Sequence, residues 1–393
     1  QSFPQELWIS MQINPVDLIA DELLAGAEAL PIEALPEVDA RTANEIAAIK
    51  AFLSKWSRSP HTLRRYRVEI ARLWLWATEK GLMISELTYE DLNAYRDFLQ
   101  DPQPYERWCS GKKYRRDSPN WRPFVSALSL SSVHHAFSAI GALYSVWLRS
   151  GHITCDPMAN VTKIREVLAD GITPFAETTV DSTEKWFDDR MASAIREALS
   201  VMPAETPAEE QQRAQYTLII RTLTVTGARV SEVVHAKQAQ IYEDRSGWWV
   251  KLRGKGGKIR TVPLPNDYIT DVLMPWRIDH ELPAIPEADE GTPLCPPRVW
   301  RQGKPGISSR MVLNIVKDIA ARAAALLPAD AQRASRLLPR ASNHWFRHTF
   351  ITALIDQNVP TKTILTTVGQ NSEKTLRIYD HKQDHDRHVD VTR

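Results

Sequence analysis

Residues 343–380 constrain the fold of this chain most strongly, because their first part has the spacing of a two-faced helix. Positions three and four apart lie on one side of a helix, so His344, Arg347 and His348 are predicted to project together. The other side carries apolar residues spaced by four that can enter a core: Phe346, Phe350 and Leu354. A guanidinium beside an imidazole suits an anion, since it pairs with phosphate through two parallel hydrogen bonds. The alternative is an ordinary helix with a polar outer face.

The length of 393 residues favours two or three domains, and 43% hydrophobic with 25% charged residues is typical of a globular protein. No apolar run is long enough to span a membrane, and no signal peptide is visible. The cysteines Cys109, Cys155 and Cys295 lie far apart, which argues against a disulfide framework and predicts a cytoplasmic location. No Cys/His cluster has the spacing of a zinc site.

Charge is distributed unevenly along the chain. Residues 1–56 contain nine acidic and three basic residues, a net charge of −6, so the rest of a chain with net charge +1 carries +7. The total charge does not indicate a nucleic-acid partner, whereas this local pattern does.

Four segments are predicted. Residues 1–40 form an acidic, proline-punctuated extension, which is either a partner helix at 16–30 or a poorly ordered tail. Residues 41–160 have the periodicity of a helical domain, residues 161–181 form a linker, and residues 182–393 form a second domain.

Basic residues interleaved with aromatic ones mark two places in the helical domain, a helix at 63–80 and a loop at 107–122. They predict contacts with DNA phosphates, each of which adds to salt-sensitive affinity. The alternative is a solvated helix face and a solvated loop. The candidate DNA-binding residues here are Arg64, Arg65, Lys112, Lys113, Arg115 and Arg116.

In the second domain, Gly227 is predicted to end one helix and Arg229 to begin the next. Backbone N–H groups at such a start are favourable to phosphate. Glu232 lies one helical turn after Arg229 and is predicted to orient it. The alternative is a surface ion pair between these two residues.

A glycine-rich turn at 253–258 separates two predicted strands, 248–252 and 259–264. The turn lacks the spacing of a Walker A loop. Lys255 on such a hairpin can reach a groove and protonate a leaving oxygen, and Lys258 is a candidate DNA contact. The alternative is a bare basic turn.

The set and order of these motifs resemble those of the tyrosine recombinase family (phage integrase-like, Xer-like). The first arginine box of the family is similar to the segment around Arg229, and its hairpin lysine matches Lys255. Its H-x-x-R box matches His344 and Arg347, and its nucleophile matches Tyr379. The likeness is strongest over about 205–381 and weaker over 41–160.

One position departs from the family pattern, which has His or Trp where this chain has Gln370. The glutamine amide still donates a hydrogen bond to a phosphate oxygen, but it transfers no proton. At most a moderate loss of rate relative to histidine is expected, not an inactive protein.

The resemblance implies a mainly α fold with a small β-sheet, in which a helical core-binding domain and a mixed catalytic domain close around DNA. It implies that Tyr379 forms a 3′-phosphotyrosyl bond while Arg229 and Arg347 hold the phosphate oxygens. His344 would accept the phenol proton or hold the phosphate, and Lys255 would protonate the 5′-oxygen. No metal or cofactor is expected.

The resemblance thus implies a site-specific DNA recombinase that works as a homotetramer on double-stranded DNA and is a monomer or weak dimer without it. Residues 382–393 would dock on a neighbouring protomer. Two alternatives share the fold. One is a type IB topoisomerase or telomere resolvase with the same chemistry, and the other is a DNA-binding regulator without catalysis.

Overall fold

The computed structural model describes residues 39–116, 118–161 and 185–370, and for Lys255 the backbone alone. These residues form two compact units, one before and one after the gap at 162–184. Residues 1–38 of the predicted extension with its helix, residues 162–181 of the predicted linker, and Tyr379 lie outside the described residues.

The first unit is built from helices. Its helices are α1 (Ala40–Ser54), α2 (Pro60–Glu79), α3 (Tyr89–Gln100), α4 (Tyr105–Trp108) and α5 (Leu130–Ser150). Side chains of Asp39, Thr88 and Ser129 cap α1, α3 and α5 by accepting a backbone N–H from the first turn. The sequence periodicity predicts helices over 40–56, 63–80, 88–99 and 129–148, and the four longer helices agree with these bounds to within three residues. Their inward faces form one core, which includes Ile49 and Phe52, both 0% exposed.

The second unit contains nine α-helices among its described residues. They are α6 (Asp189–Ser200), α7 (Pro207–Thr226), α8 (Val230–His235), α9 (Asn266–Tyr268), α10 (Met274–Asp279), α11 (Ser309–Leu326), α12 (Gln332–Leu337), α13 (Asn343–Asp356) and α14 (Thr361–Val368). The sequence predicts one helix over 266–280, and within it a π-helical turn, Ile269–Leu273, joins α9 to α10. Pro275 follows this turn and has no N–H to donate, which favours a local change of hydrogen bonding.

The sequence predicts a helix over 183–202, but the helix begins later, at Asp189, so the prediction is wrong over residues 185–188. Asp188 caps α6 by accepting the N–H of Met191 at 2.8 Å. Phe187 donates its backbone N–H to Oγ1 of Thr349 on α13 at 2.8 Å. A tertiary contact therefore holds this segment out of the helix.

A three-stranded antiparallel sheet in the order β1-β2-β3 lies in the second unit, formed by β1 (Ile241–Asp244), β2 (Gly247–Arg253) and β3 (Ile259–Leu264). The predicted hairpin is confirmed, with Val250 opposite Val262 and the N–H of Gly254 donating to the carbonyl of Lys258 at 2.7 Å. β1 was not predicted, because its four residues have no clear apolar alternation.

The core of the second unit lies between the sheet and helices α6, α7, α11 and α13. Within the described ranges, no helix has the length and apolarity that crossing a bilayer requires. The mainly helical fold with a small sheet agrees with the fold class expected from the sequence.

Candidate active site

The turn between α7 and α8 brings the first arginine motif against α13. Gly227 ends α7 in the left-handed region, with a φ of 52°. A Cβ atom on Gly227 would lie 2.4 Å from Cδ1 of Phe350, so glycine alone permits this approach. The carbonyl of Gly227 accepts a hydrogen bond of 3.0 Å from Nη1 of Arg347. Two motifs far apart in the sequence are therefore in direct contact.

Glu232, on α8, is 2% exposed and accepts hydrogen bonds from two arginines. Its Oε1 lies 3.1 Å from Nη1 of Arg229, and its Oε2 accepts the backbone N–H of Arg229 at 2.9 Å. Oε2 also accepts from Nη2 of Arg260 at 2.7 Å. The N–H of Arg229 is thus already bonded, whereas the sequence suggested that this helix start would offer it to phosphate.

Burial alone would raise the pKa of Glu232. The hydrogen bond and the charge of Arg260 lower it, and the backbone N–H and charge of Arg229 add to this, so the pKa lies below its ordinary value. Glu232 is therefore a carboxylate at neutral pH. We call Arg229, Arg260, Arg347 and Glu232 the arginine cluster, and three guanidinium groups with one carboxylate give it a net charge of +2.

The two arginines that the sequence singled out differ in accessibility. The side chain of Arg229 is 36% exposed. Arg347 is 1% exposed, and its Nη1 and Nη2 donate to the carbonyls of Gly227 and Val368, the latter at 2.6 Å. In this conformation Arg229 is open to a ligand, while Arg347 contributes its charge from beneath the surface.

The C-terminal turn of α14 is held by both buried arginines. Nη1 of Arg260 donates to the carbonyl of Thr367, next to the Val368 carbonyl that Arg347 binds. Gly369 then leaves the helix with a φ of 63°. A cation at a helix C-terminus is favourable, because the free carbonyls there carry a partial negative charge.

Gln370 follows this turn and is the last described residue. Its backbone N–H donates to the carbonyl of Leu365 at 3.0 Å. Its side-chain oxygen Oε1 is buried and accepts no hydrogen bond from any residue that the structure describes.

His344 lies on the first turn of α13, beside His348, with ring centroids 4.5 Å apart. Part of His344 is exposed. Partial burial of the ring lowers the pKa of His344 below its ordinary value, and the positive charges of Arg347, Arg229 and Lys185 lower it further. His344 is therefore mainly neutral at pH 7, and a neutral imidazole can accept a proton on one ring nitrogen.

The β2–β3 hairpin approaches the same cluster. A Cβ atom on Gly254 would lie 3.1 Å from Oε1 of Glu232, so the base of the hairpin is close to the arginine cluster. Lys255 begins the turn Lys255–Gly257, and Lys258 is exposed. The structure places the backbone of Lys255 at this edge of the site.

The structure thus gathers Arg229, Glu232, Arg347, His344 and the base of the lysine hairpin, and Gln370 follows a helix end bonded to the same cluster. Tyr379 lies outside the described residues, so its place relative to this site is a prediction from the sequence.

The sequence interpretation missed Arg260. Exposure alternates along β3, and Arg260 has the buried phase that it shares with Val262 and Leu264. A charged residue in the apolar phase of a strand is a signal that sequence reasoning can use, because a buried guanidinium requires partners.

The candidate DNA-binding residues of the first unit lie on its surface. We call the exposed ones the basic surface: Arg64, Arg65, Lys112, Lys113 and Arg115. The loop that carries the last three is closed at its base, where the N–H of Phe124 donates to the carbonyl of Trp108 at 3.1 Å. Arg116 differs, since it is partly buried with its guanidinium 4.6 Å from the ring centre of Trp121.

Within the described residues, no three His, Cys, Asp or Glu side chains are grouped so that they could hold a metal ion.

Comparison with known proteins assigns the chain to a family. The phage integrase family model matches residues 174–386, more than half of the chain. Tyrosine recombinase XerD of Shewanella oneidensis is 26% identical over 343 residues, covering 85% of this chain and 91% of the relative. Tyrosine recombinase XerC of Staphylococcus saprophyticus is 22% identical over 323 residues, covering 82% of this chain and 87% of the relative.

The fold is similar to that of a solved structure, the XerH site-specific recombinase bound to palindromic difH substrate. The TM-score is 0.61 at 14% identity, with 97% of this chain and 95% of that chain covered. This likeness concerns the fold alone. From the family match, the chain belongs to the phage integrase family of tyrosine recombinases and is an enzyme of site-specific DNA recombination.

Proposed function

We propose that this enzyme cuts and rejoins DNA by two transesterifications at the arginine cluster. In the first, the phenol oxygen of Tyr379 forms a bond to phosphorus as the bond to the 5′-oxygen breaks. In the second, a 5′-hydroxyl attacks the phosphotyrosine and releases the phenol. The number of phosphoester bonds is unchanged, so no external energy source is needed.

The observation that supports this proposal most strongly is the arginine cluster itself. A phosphodiester in the transition state carries charge on its non-bridging oxygens, and preorganised donors stabilise that charge. Arg229 is exposed and is held by Glu232, so it is oriented before DNA arrives. The charge of Arg347 lies behind it, fixed by two backbone carbonyls.

Proton transfer is assigned to residues on either side of this cluster. His344 is neutral at pH 7 and would accept the proton of the Tyr379 phenol. Lys255, at the turn of the hairpin, would give a proton to the departing 5′-oxygen. Gln370 would donate its amide N–H to a non-bridging oxygen.

DNA is the proposed partner, bound as a duplex that carries recombination sites. The basic surface of the first unit would neutralise phosphates outside the reacting one. The relative XerH, which matches the fold, was solved as a complex with its difH substrate. We propose that four protomers act on two sites, and that the enzyme works in the cytoplasm on the nucleoid.

The nucleophile is tested by Tyr379→Phe on a nicked suicide substrate, from which the cleaved end diffuses away. Wild-type protein should form an adduct that survives denaturation, and the variant should form none while binding DNA as before. Tyr242→Phe, a change on the edge strand β1, is the matched control and should leave the adduct intact. Adducts that persist with Tyr379→Phe would remove this assignment.

A second assay separates recombination from relaxation. Supercoiled plasmid should be recombined when it carries two cognate sites. Rapid relaxation of plasmid without such sites would instead indicate a topoisomerase that uses the same chemistry.

A further inference from the structure

Arg260 occupies a position where an apolar side chain is expected. It is 8% exposed and points to the same side of β3 as Val262 and Leu264. A guanidinium there is unfavourable unless its hydrogen bonds are satisfied. The hairpin would be as well formed with an apolar residue, so its core does not account for an arginine.

The partners of Arg260 lie on two different elements. Nη2 donates to Oε2 of Glu232 on α8, and Nη1 donates to the carbonyl of Thr367 on α14. A planar guanidinium fixes both bonds in one geometry, which a lysine ammonium does not. Arg260 therefore ties the carboxylate that orients Arg229 to the end of the helix that precedes Gln370.

Gln370 directly follows the end of α14 that Arg260 contacts. A Cβ atom on Gly369 would lie 2.7 Å from Cδ of Arg260, so the chain passes directly over the arginine stem. Oε1 of Gln370 accepts no hydrogen bond within the described residues. Arg260 contacts the backbone at 367–369, which leads directly into Gln370.

We propose that Arg260 is a positioning residue that acts through Gln370. It holds the last turn of α14 so that the Gln370 amide is presented to the phosphate before DNA arrives. This inference rests on the proposed function, because it assumes that Gln370 donates to a phosphate oxygen.

A double-mutant cycle tests whether Arg260 acts through Gln370. Arg260→Lys keeps the charge beside Glu232 but loses the fork that reaches Thr367. Single-turnover cleavage of the suicide substrate is measured for wild type, Arg260→Lys, Gln370→Ala and the double variant. We expect Arg260→Lys to slow cleavage about tenfold with little change in DNA affinity, and to have almost no further effect in the Gln370→Ala background.

A residue that only stabilises the fold would behave differently, because its loss would slow cleavage by the same factor in both backgrounds. If the rate reductions of Arg260→Lys and Gln370→Ala multiply in the double variant, the proposal is wrong. Arg322→Lys is the matched control, since Arg322 is ion-paired to Asp318 at 3.2 Å on the surface of α11, and it should leave cleavage unchanged.

Gly369→Ala supplies a second variant should Arg260→Lys fail to fold. The added methyl group would push the turn away from the Arg260 stem, and its effect on cleavage should likewise disappear in the Gln370→Ala background. Should wild-type protein form no adduct through Tyr379, the proposed function fails. If wild-type protein cleaves but the rate reductions multiply in the double variant, only the inference about Arg260 fails.

Discussion

The arginine cluster of the second unit and the basic surface of the first unit both carry positive charge, but they hold it differently. In the cluster, Arg260 and Arg347 are nearly inaccessible and donate to a carboxylate and to backbone carbonyls. On the basic surface, Lys112 and Lys113 are exposed at the tip of a loop.

The difference separates chemistry from affinity. Buried donors cannot reorganise freely, so their charge is already in place when a phosphate arrives. Exposed lysines are screened by salt and act by releasing counterions from DNA. We therefore expect changes in the cluster to affect rate and stability, and changes on the basic surface to affect DNA affinity and its dependence on salt.

The largest effect is expected for Arg347→Ala. Loss of a preorganised charge typically lowers the rate by about 10²–10³-fold, and single-turnover cleavage of a suicide substrate measures this loss. The variant also leaves the carbonyls of Gly227 and Val368 without a donor, which should lower the free energy of unfolding by roughly 1–3 kcal/mol. Arg322→Ala, on the surface of α11, is the control. Equal cleavage rates for Arg347→Ala and Arg322→Ala would contradict the role given to the arginine cluster.

Glu232→Gln is expected to act mainly on stability. Removing the carboxylate from a buried ion pair typically costs roughly 3–5 kcal/mol, which urea unfolding at pH 7 measures. The folded-state pKa of Glu232 lies below the ordinary 4.5, so its contribution is present above that pH and is lost as the pH falls through the folded value. The difference in the free energy of unfolding between wild type and Glu232→Gln should therefore decrease in acid.

Asp267→Asn provides the control for that experiment. Asp267 pairs with Arg221 at 2.5 Å but is 55% exposed, so its loss should cost less than about 1 kcal/mol. Equal losses for the two variants would show that burial does not distinguish the cluster from a surface ion pair.

The smallest effect is expected on the basic surface. Changing Lys112 and Lys113 together to Ala should reduce the slope of log affinity against log salt by about 2 if each lysine contacts one phosphate. Adducts formed at saturating protein should be unchanged. The matched control is the change of Arg298 and Arg301 together to Ala, since both are exposed on the loop before α11. An unchanged slope for the lysine variant would place this loop away from DNA.

Local patterns were sufficient for most of the helices and for the β2–β3 hairpin, because amphipathic spacing and glycine turns are local properties. They were insufficient for β1, whose four residues become a strand only because β2 offers its edge. They also misplaced the start of α6, where a hydrogen bond from Phe187 to Thr349 outweighs local helix preference.

By itself, the sequence determined the family motifs and hence the identities of Arg229, Lys255, His344, Arg347 and Tyr379 as candidates, since motif order and residue chemistry are readable along the chain. Only the tertiary structure decided that Arg347 is covered while Arg229 is open. It alone joined Arg260 to Glu232 and to the end of α14. The physical reason is that the cost of burying a charge depends on partners that are distant in sequence, and folding alone brings those partners within hydrogen-bonding distance.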